Sequence, residues 1–150
     1  MSRASAHRAL ETALVATLVL VASLTLSPTG VGGWAWGDPA TELHWYAGAL
    51  HSAAVAAQLF GNLLLLVPSA VLAVLRWPSL RRPVHLLPAA LAAGASIETL
   101  QWALPLGRVV SPMDAVLNAT GAATAALLAA ALPAVRRAGS ARPQRVWARA

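Results

Sequence analysis

Long apolar runs alternate with short polar stretches along the 150 residues of the chain. Four of these runs, roughly residues 10–27, 54–75, 84–104 and 113–135, are close to the length that a helix needs to cross a bilayer. The pattern predicts an all-α fold, an integral membrane four-helix bundle formed by a single domain over residues 1–150. The first run is short and follows Arg3 and Arg8, so a cleaved signal peptide is the alternative for it.

The arginines predict the orientation of these helices. All but one of them lie before the first run, between the second and third runs, or after the fourth: Arg3, Arg8, Arg76, Arg81, Arg82, Arg136, Arg137, Arg142, Arg145 and Arg149. Basic residues concentrate in cytoplasmic segments of membrane proteins. We therefore expect a multi-pass protein of the bacterial cytoplasmic membrane with both termini in the cytoplasm and a basic cytoplasmic tail over residues 136–150. Arg108 is the exception.

The outer loop between the first two helices is rich in aromatic residues, namely Trp34, Trp36, Trp45 and Tyr46. Tryptophan and tyrosine are enriched at the level of the lipid headgroups, so this loop is predicted to lie along the outer membrane surface. Asp38-Pro39 indicates a turn, and a short interfacial helix is expected over Thr41–Leu50.

Composition supports a membrane protein and excludes several kinds of site. The chain is 58% hydrophobic and only 11% charged, whereas soluble domains carry about 25% charged residues. It contains no cysteine, which excludes disulfides, thiol nucleophiles and cysteine-ligated metals. The spacing of His44, His51 and His85 is not that of a zinc site. We expect no metal, no cofactor and no nucleic-acid partner.

Polar residues inside three of the apolar runs recur at helical spacing. In the second run the stripe is His51, Gln58, Asn62 and Ser69; in the third it is Gly94, Glu98 and Gln101; in the fourth it is Asp114, Asn118 and Gly121. Such faces are best satisfied when they meet inside a bundle, and their depths agree on the outer half of the membrane. With Arg108 as the countercharge of Glu98 or Asp114, they predict an outward-facing ligand-binding pocket of Asn62, Glu98, Gln101, Arg108, Asp114 and Asn118.

The same residues could instead have structural roles. Glu98 could contact a ligand, tie helices together or, in an enzyme, act as a general base; no catalytic residue is otherwise assigned. Ser111 and Pro112 suit the N-cap and N1 positions of the fourth helix, which would place Asp114 at N3. Asn62 and Asn118 could form interhelical hydrogen bonds. Pro68 is expected to kink the second helix one turn below Asn62.

Several short motifs on successive predicted helices resemble the VanZ-like family, named for a membrane protein associated with teicoplanin resistance. They are Gly61-Asn62-Leu63 with Pro68, Glu98-x-x-Gln101, Gly107-Arg108, and Asp114-x-x-x-Asn118-x-x-Gly121. The chain departs from the family pattern where Ser111 and Met113 occupy positions often held by aspartate, which leaves Asp114 alone in that segment. The resemblance implies a multi-helix envelope protein linked to glycopeptide or lipoglycopeptide resistance, an antibiotic-resistance role.

The leading functional interpretation is a non-catalytic envelope protein. Its pocket would engage a lipid-linked peptidoglycan precursor, a lipid headgroup or a glycopeptide antibiotic, and would lower sensitivity to teicoplanin and lipoglycopeptides. One alternative is an intramembrane enzyme that acts on a lipid headgroup with Glu98 as the base. Another is a small helper subunit of a different membrane protein. Membrane lipids are the expected partners in each case, and a homo-oligomer or a membrane-protein partner is compatible with all three.

Overall fold

The structure is a computed structural model that describes residues 3–30 and 32–132. The predicted basic tail over residues 136–150 lies outside the described residues. Within these described residues, six α-helices and two short strands follow one another as α1 (Arg3–Leu26), β1 (Trp34–Trp36), α2 (Pro39–Ala47), α3 (Ala53–Leu65), α4 (Val67–Arg76), α5 (Pro83–Ala103), β2 (Arg108–Val110) and α6 (Pro112–Ala131). The chain is thus mainly helical, as predicted, and α1 begins well before the expected start near residue 10.

Three helical segments of the described chain are long and apolar enough to span a membrane: Ala4–Leu26, Ala53–Arg76 and Pro112–Ala131. The helix α5 is 21 residues long but is not among them, because His85, Glu98 and Gln101 interrupt its apolar character. That α5 crosses the membrane as a fourth span, and that both termini face the cytoplasm, stay predictions.

The second apolar run is a single helical segment interrupted near Pro68. The helix α3 ends at Leu65 and α4 begins at Val67, with Leu66 as the residue between them. Pro68 lies in the first turn of α4, where its missing N–H costs least. Leu66 is one turn after Asn62, so the interruption lies where the kink was expected.

Small residues let α6 approach its neighbours closely. An added Cβ at Gly94 of α5 would lie 2.5 Å from the carbonyl oxygen of Ala115, and a Cβ at Gly121 would overlap the carbonyl oxygen of Leu63 in α3. The buried face of α6 consists largely of alanine, with Ala119, Ala122, Ala123, Ala126 and Ala129. Close backbone approach over small side chains is typical of helix packing in membranes. The approach brings Asn118 of α6 beside the polar faces of α3 and α5.

The two non-helical connections pair with each other, which the hydrophobic pattern did not predict. Strands β1 and β2 are parallel, with Trp34 opposite Arg108 and Trp36 opposite Val110. The amide of Gly107 donates to the carbonyl of Gly33 at 2.9 Å and extends this pairing. Gly107 has a φ of +67°, a conformation that favours glycine. The two loops therefore form one layer over the ends of α1 and α5.

The short helix predicted in the first loop is present, with shifted bounds. Asp38 is the N-cap of α2, and its carboxylate accepts a hydrogen bond from the amide of Thr41 at 2.8 Å. The helix continues to Ala47 and is followed by a 3-10 turn over Ala49–His51. A helix of this kind fixes the direction of the side chains that it carries, and two of them point into the protein.

A polar cavity beneath the paired loops

A cavity of about 520 Å³ lies where α1 and α5 end and α6 begins. Its walls include all six residues predicted for the pocket: Asn62, Glu98, Gln101, Arg108, Asp114 and Asn118. The walls also include polar residues that were not assigned to it, namely Thr25, Thr29, Glu42 and Gln58. The fold thus gathers the predicted site residues at one place, while their binding of a ligand stays a prediction.

Two carboxylates, those of Glu98 and Glu42, contact Ser111 at the start of α6, and Asp114 follows in the first turn of the helix. Ser111 is the N-cap, as predicted, and its hydroxyl accepts a hydrogen bond from the amide of Asp114 at 3.0 Å. The backbone N–H of Ser111 donates to Oε2 of Glu98 at 2.7 Å. The hydroxyl of Ser111 donates to Oε2 of Glu42 at 2.6 Å. The expectation that Asp114 stands alone holds only for the local sequence, because α2 and α5 bring two further carboxylates to this point.

Glu42 was overlooked because its loop was assigned to the membrane surface. An added Cβ at Gly37 would overlap a carboxylate oxygen of Glu42, so the glycine leaves room for this side chain to turn inward. Glu42 is one of only five acidic residues in the chain. In so apolar a sequence, that scarcity was the available signal for a role.

Tyr46 links α2 to the two helices that carry the cavity amides and acids. Its hydroxyl donates to Oδ1 of Asp114 at 2.6 Å and accepts from Nδ2 of Asn62 at 3.3 Å. Burial, followed by the hydrogen bond to Asp114, raises the pKa of the Tyr46 hydroxyl above its ordinary value. Only 8% of Tyr46 is exposed, so its ring packs inside the protein. The level of this loop in the membrane stays a prediction. Trp34 and Trp36 of the same loop are exposed.

Arg108 has other partners than the expected carboxylates. Its Nε donates to the carbonyl of Ser27 at 3.0 Å, and its Nη2 donates to the carbonyl of Leu24 at 2.9 Å. The last carbonyls of a helix have no partners within the helix, and pairing of β1 with β2 places Arg108 beside those at the end of α1. Arg108 forms no direct ion pair with Glu98 or Asp114 among the described residues, although its charge still acts on Glu98 at longer range. Its role as their countercharge stays a prediction.

The remaining polar residues divide between the cavity and the helix contacts. Nε2 of Gln101 donates to the carbonyl of Thr25 at 3.0 Å and ties α5 to α1. Ser69 belongs to the predicted stripe, but its hydroxyl donates to Oγ1 of Thr17 at 3.0 Å, away from the cavity. His51 lies before α3 and is exposed. Of the stripe in the second run, only Gln58 and Asn62 line the cavity.

Asn118 is the most deeply buried side chain of the cavity wall. Only 1% of it is exposed, and its Oδ1 has no hydrogen-bond partner among the residues that the structure describes. A buried acceptor without a donor costs about 1–3 kcal/mol. The wall of the cavity therefore contains one acceptor that no group of the described chain satisfies.

An apolar groove of about 480 Å³ adjoins the polar cavity along α5 and α6. Its walls include Leu91, Trp102, Val110 and Val116, and Glu98 lines both the groove and the polar cavity. A polar compartment thus meets an apolar one at a single carboxylate. Within the described residues, no group of three or more histidine or acidic side chains is placed to hold a metal ion.

Three helices long and apolar enough to span a membrane, with a polar cavity under paired loops at one end, indicate a helical membrane protein. It belongs to the VanZ/LLP1 family, whose model matches residues 13–133. The resemblance drawn from the short motifs is thereby confirmed. No curated protein and no solved structure matches the chain significantly.

Proposed function

We propose that this VanZ-family protein binds, without catalysis, the polar part of a membrane amphiphile in the cavity beneath the paired loops. The ligand would be a lipid headgroup, a lipid-linked cell-wall precursor or a glycopeptide antibiotic. The observation that carries the proposal is the convergence of acids, amides and Arg108 from α3, α5, β2 and α6 on one cavity of about 520 Å³. Polar groups are costly at membrane depth and usually mark functional sites.

The hydrogen bonds of the cavity suit a binding site. Glu98 accepts the amide of Ser111, and Asp114 accepts the hydroxyl of Tyr46. The hydroxyl of Ser111 in turn donates a hydrogen bond to Glu42. These contacts hold the side chains in fixed positions, which suits recognition. A hydroxyl that donates to a carboxylate could act as a nucleophile. Ser111, however, is buried as the N-cap of α6, where a substrate has no access to its hydroxyl.

The charges fit a cavity that opens outward in the bacterial cytoplasmic membrane. Arg76 lies at the far end of α4, where it pairs with Glu11 of α1 at 2.6 Å. Arg81 and Arg82 follow on the same side of the fold. Basic residues favour the cytoplasmic side, which supports an assignment of the cavity to the outer half of the membrane. There it would meet lipid-linked precursors and lipid-anchored glycopeptides, and occupying it would lower sensitivity to teicoplanin.

The test is teicoplanin susceptibility in a sensitive Gram-positive host. It compares the empty vector, the parent protein, and the variants Glu98→Gln and Asn118→Leu, with membrane levels measured for each. Glu11→Gln is the matched control, since it removes a carboxylate at the other end of the helices. We expect protection by the parent and the control, and loss of protection in the two cavity variants. Equal protection by all four proteins, or none by a well-expressed parent, would overturn the proposal.

A further inference from the structure

The cavity is much richer in hydrogen-bond acceptors than in free donors. Its charged walls are three carboxylates, of Glu42, Glu98 and Asp114, against the one guanidinium of Arg108. Nε and Nη2 of that guanidinium already donate to the carbonyls at the end of α1. The positive group of the cavity is therefore directed toward α1, and the acids keep lone pairs that it does not use.

A second feature, independent of the acids, points the same way. Oδ1 of Asn118 is a buried acceptor with no donor among the described residues, and Asn118 lines this cavity. A ligand group that satisfies it must donate a hydrogen bond. A phosphate or carboxylate offers mainly acceptors and would face the acidic side chains of Glu42, Glu98 and Asp114, which is unfavourable.

We propose that the group bound here is a primary ammonium in the headgroup of a membrane lipid, and this inference rests on the proposed function. An ammonium has three donors and no acceptor, which complements two carboxylates and the amide oxygen of Asn118. Hydrogen bonds between charged partners are shorter and about twice as strong as neutral ones. The apolar groove that shares Glu98 with the cavity gives one acyl chain of the lipid a place to lie.

A bare divalent cation is the competing occupant of an acidic cavity, because calcium and magnesium also prefer oxygen ligands. Those ions need several oxygens at short, regular distances. In the described part of the chain the acids are not placed for that geometry, and Glu42 and Asp114 are instead held by Ser111 and Tyr46. An ammonium has looser geometric requirements, so it fits this arrangement better.

Native mass spectrometry of the full chain, released from a non-ionic detergent, tests the inference by titration with three lipids of identical acyl chains. They are phosphatidylethanolamine, its N-acetylated derivative, which lacks the charge, and phosphatidylglycerol. We expect phosphatidylethanolamine to bind about tenfold more tightly than either of the others, the effect of about 1.4 kcal/mol. Glu42→Gln and Asn118→Leu should each reduce that preference, whereas the control Glu11→Gln should keep it.

The variant Gly61→Leu separates failure of this inference from failure of the proposed function. Gly61 lines the cavity, and a Cβ there would meet no atom within 4 Å, so a larger side chain fits and obstructs the space. If the three lipids bind equally and Gly61→Leu abolishes their binding, the proposed cavity stands and the proposed preference for an ammonium group is overturned. Binding that Gly61→Leu does not change would overturn both. Occupancy by calcium or magnesium alone, or equally tight binding of free ethanolamine, would overturn the lipid ammonium.

Discussion

Replacement of Gly121 by alanine tests whether α6 lies against α3 as closely as the structure has it. The added methyl group would overlap the carbonyl oxygen of Leu63 and lie 2.7 Å from the carbonyl carbon and 3.1 Å from the Cα of the same residue. These are backbone atoms, so no change of rotamer relieves the overlap. The two helices must move apart, and the contacts of the neighbouring Asn118 and Ala122 loosen with them.

The size of the effect follows from two opposing terms. Alanine is favoured over glycine in a helix by about 1 kcal/mol. Overpacking costs about 1–3 kcal/mol, and a collision with backbone belongs at the upper end of that range. We therefore expect Gly121→Ala to lower the free energy of unfolding by about 2 kcal/mol. Gly61→Ala is the matched control, because its methyl group meets no atom within 4 Å and only the gain of about 1 kcal/mol applies.

The free energy of unfolding of both variants is measured by reversible unfolding in mixed micelles with added sodium dodecyl sulfate. Circular dichroism of the helices follows the transition. The expected difference between them is about 3 kcal/mol, which combines the loss at Gly121 with the gain at Gly61. Equal stabilities would refute the close approach of α6 to α3. Because that approach places Asn118 in the cavity wall, the geometry of the proposed site would then fail with it.

Three further predictions concern single side chains. Tyr46 is the only tyrosine of the chain, and its raised pKa predicts that the folded protein shows no phenolate absorbance at pH 10, the ordinary pKa. The stability that this group contributes is complete below pH 10 and is lost as the pH rises further, a loss that Tyr46→Phe should not show; a midpoint of titration at pH 10 would contradict the buried position. Arg108→Gln should lower the free energy of unfolding by about 1.5 kcal/mol, because it removes the charged donors from the end of α1; an unchanged stability in the same micelle assay would mean that the guanidinium is free for a ligand. A double-mutant cycle of Glu11→Ala and Arg76→Ala should give a coupling below about 1 kcal/mol, because both side chains are partly exposed; a larger coupling would show that the pair is shielded from water.

The cavity residues differ in how far the sequence could predict them. Asn62, Glu98, Gln101, Asp114 and Asn118 were predictable because polar side chains are rare in apolar helices, and the helical period places them on inward faces. The cap formed by Ser111 was predictable too, because capping depends on neighbours a few residues away. Such features are local, and a helix fixes them before any other segment is in contact.

Glu42 and Tyr46 show the limit of that reasoning. Both belong to a loop whose tryptophans predict a position along the membrane surface, yet these two side chains turn inward to Ser111 and Asp114, about 70 residues further along the chain. The inward direction of these two side chains depends on the pairing of β1 with β2, which positions α2. Three-residue strands carry too little periodicity to be recognised in a sequence.

The sequence by itself determined the helices, the small-residue contacts and the polar faces, because each follows from the periodicity of one segment and the cost of polar groups in an apolar environment. The tertiary structure decided which charges face one another. Arg108 lies against the end of α1 instead of a carboxylate, and Glu42 joins Glu98 at Ser111. Electrostatic partners are set by distance in space, and the pairing of two loops far apart in the sequence fixed those distances.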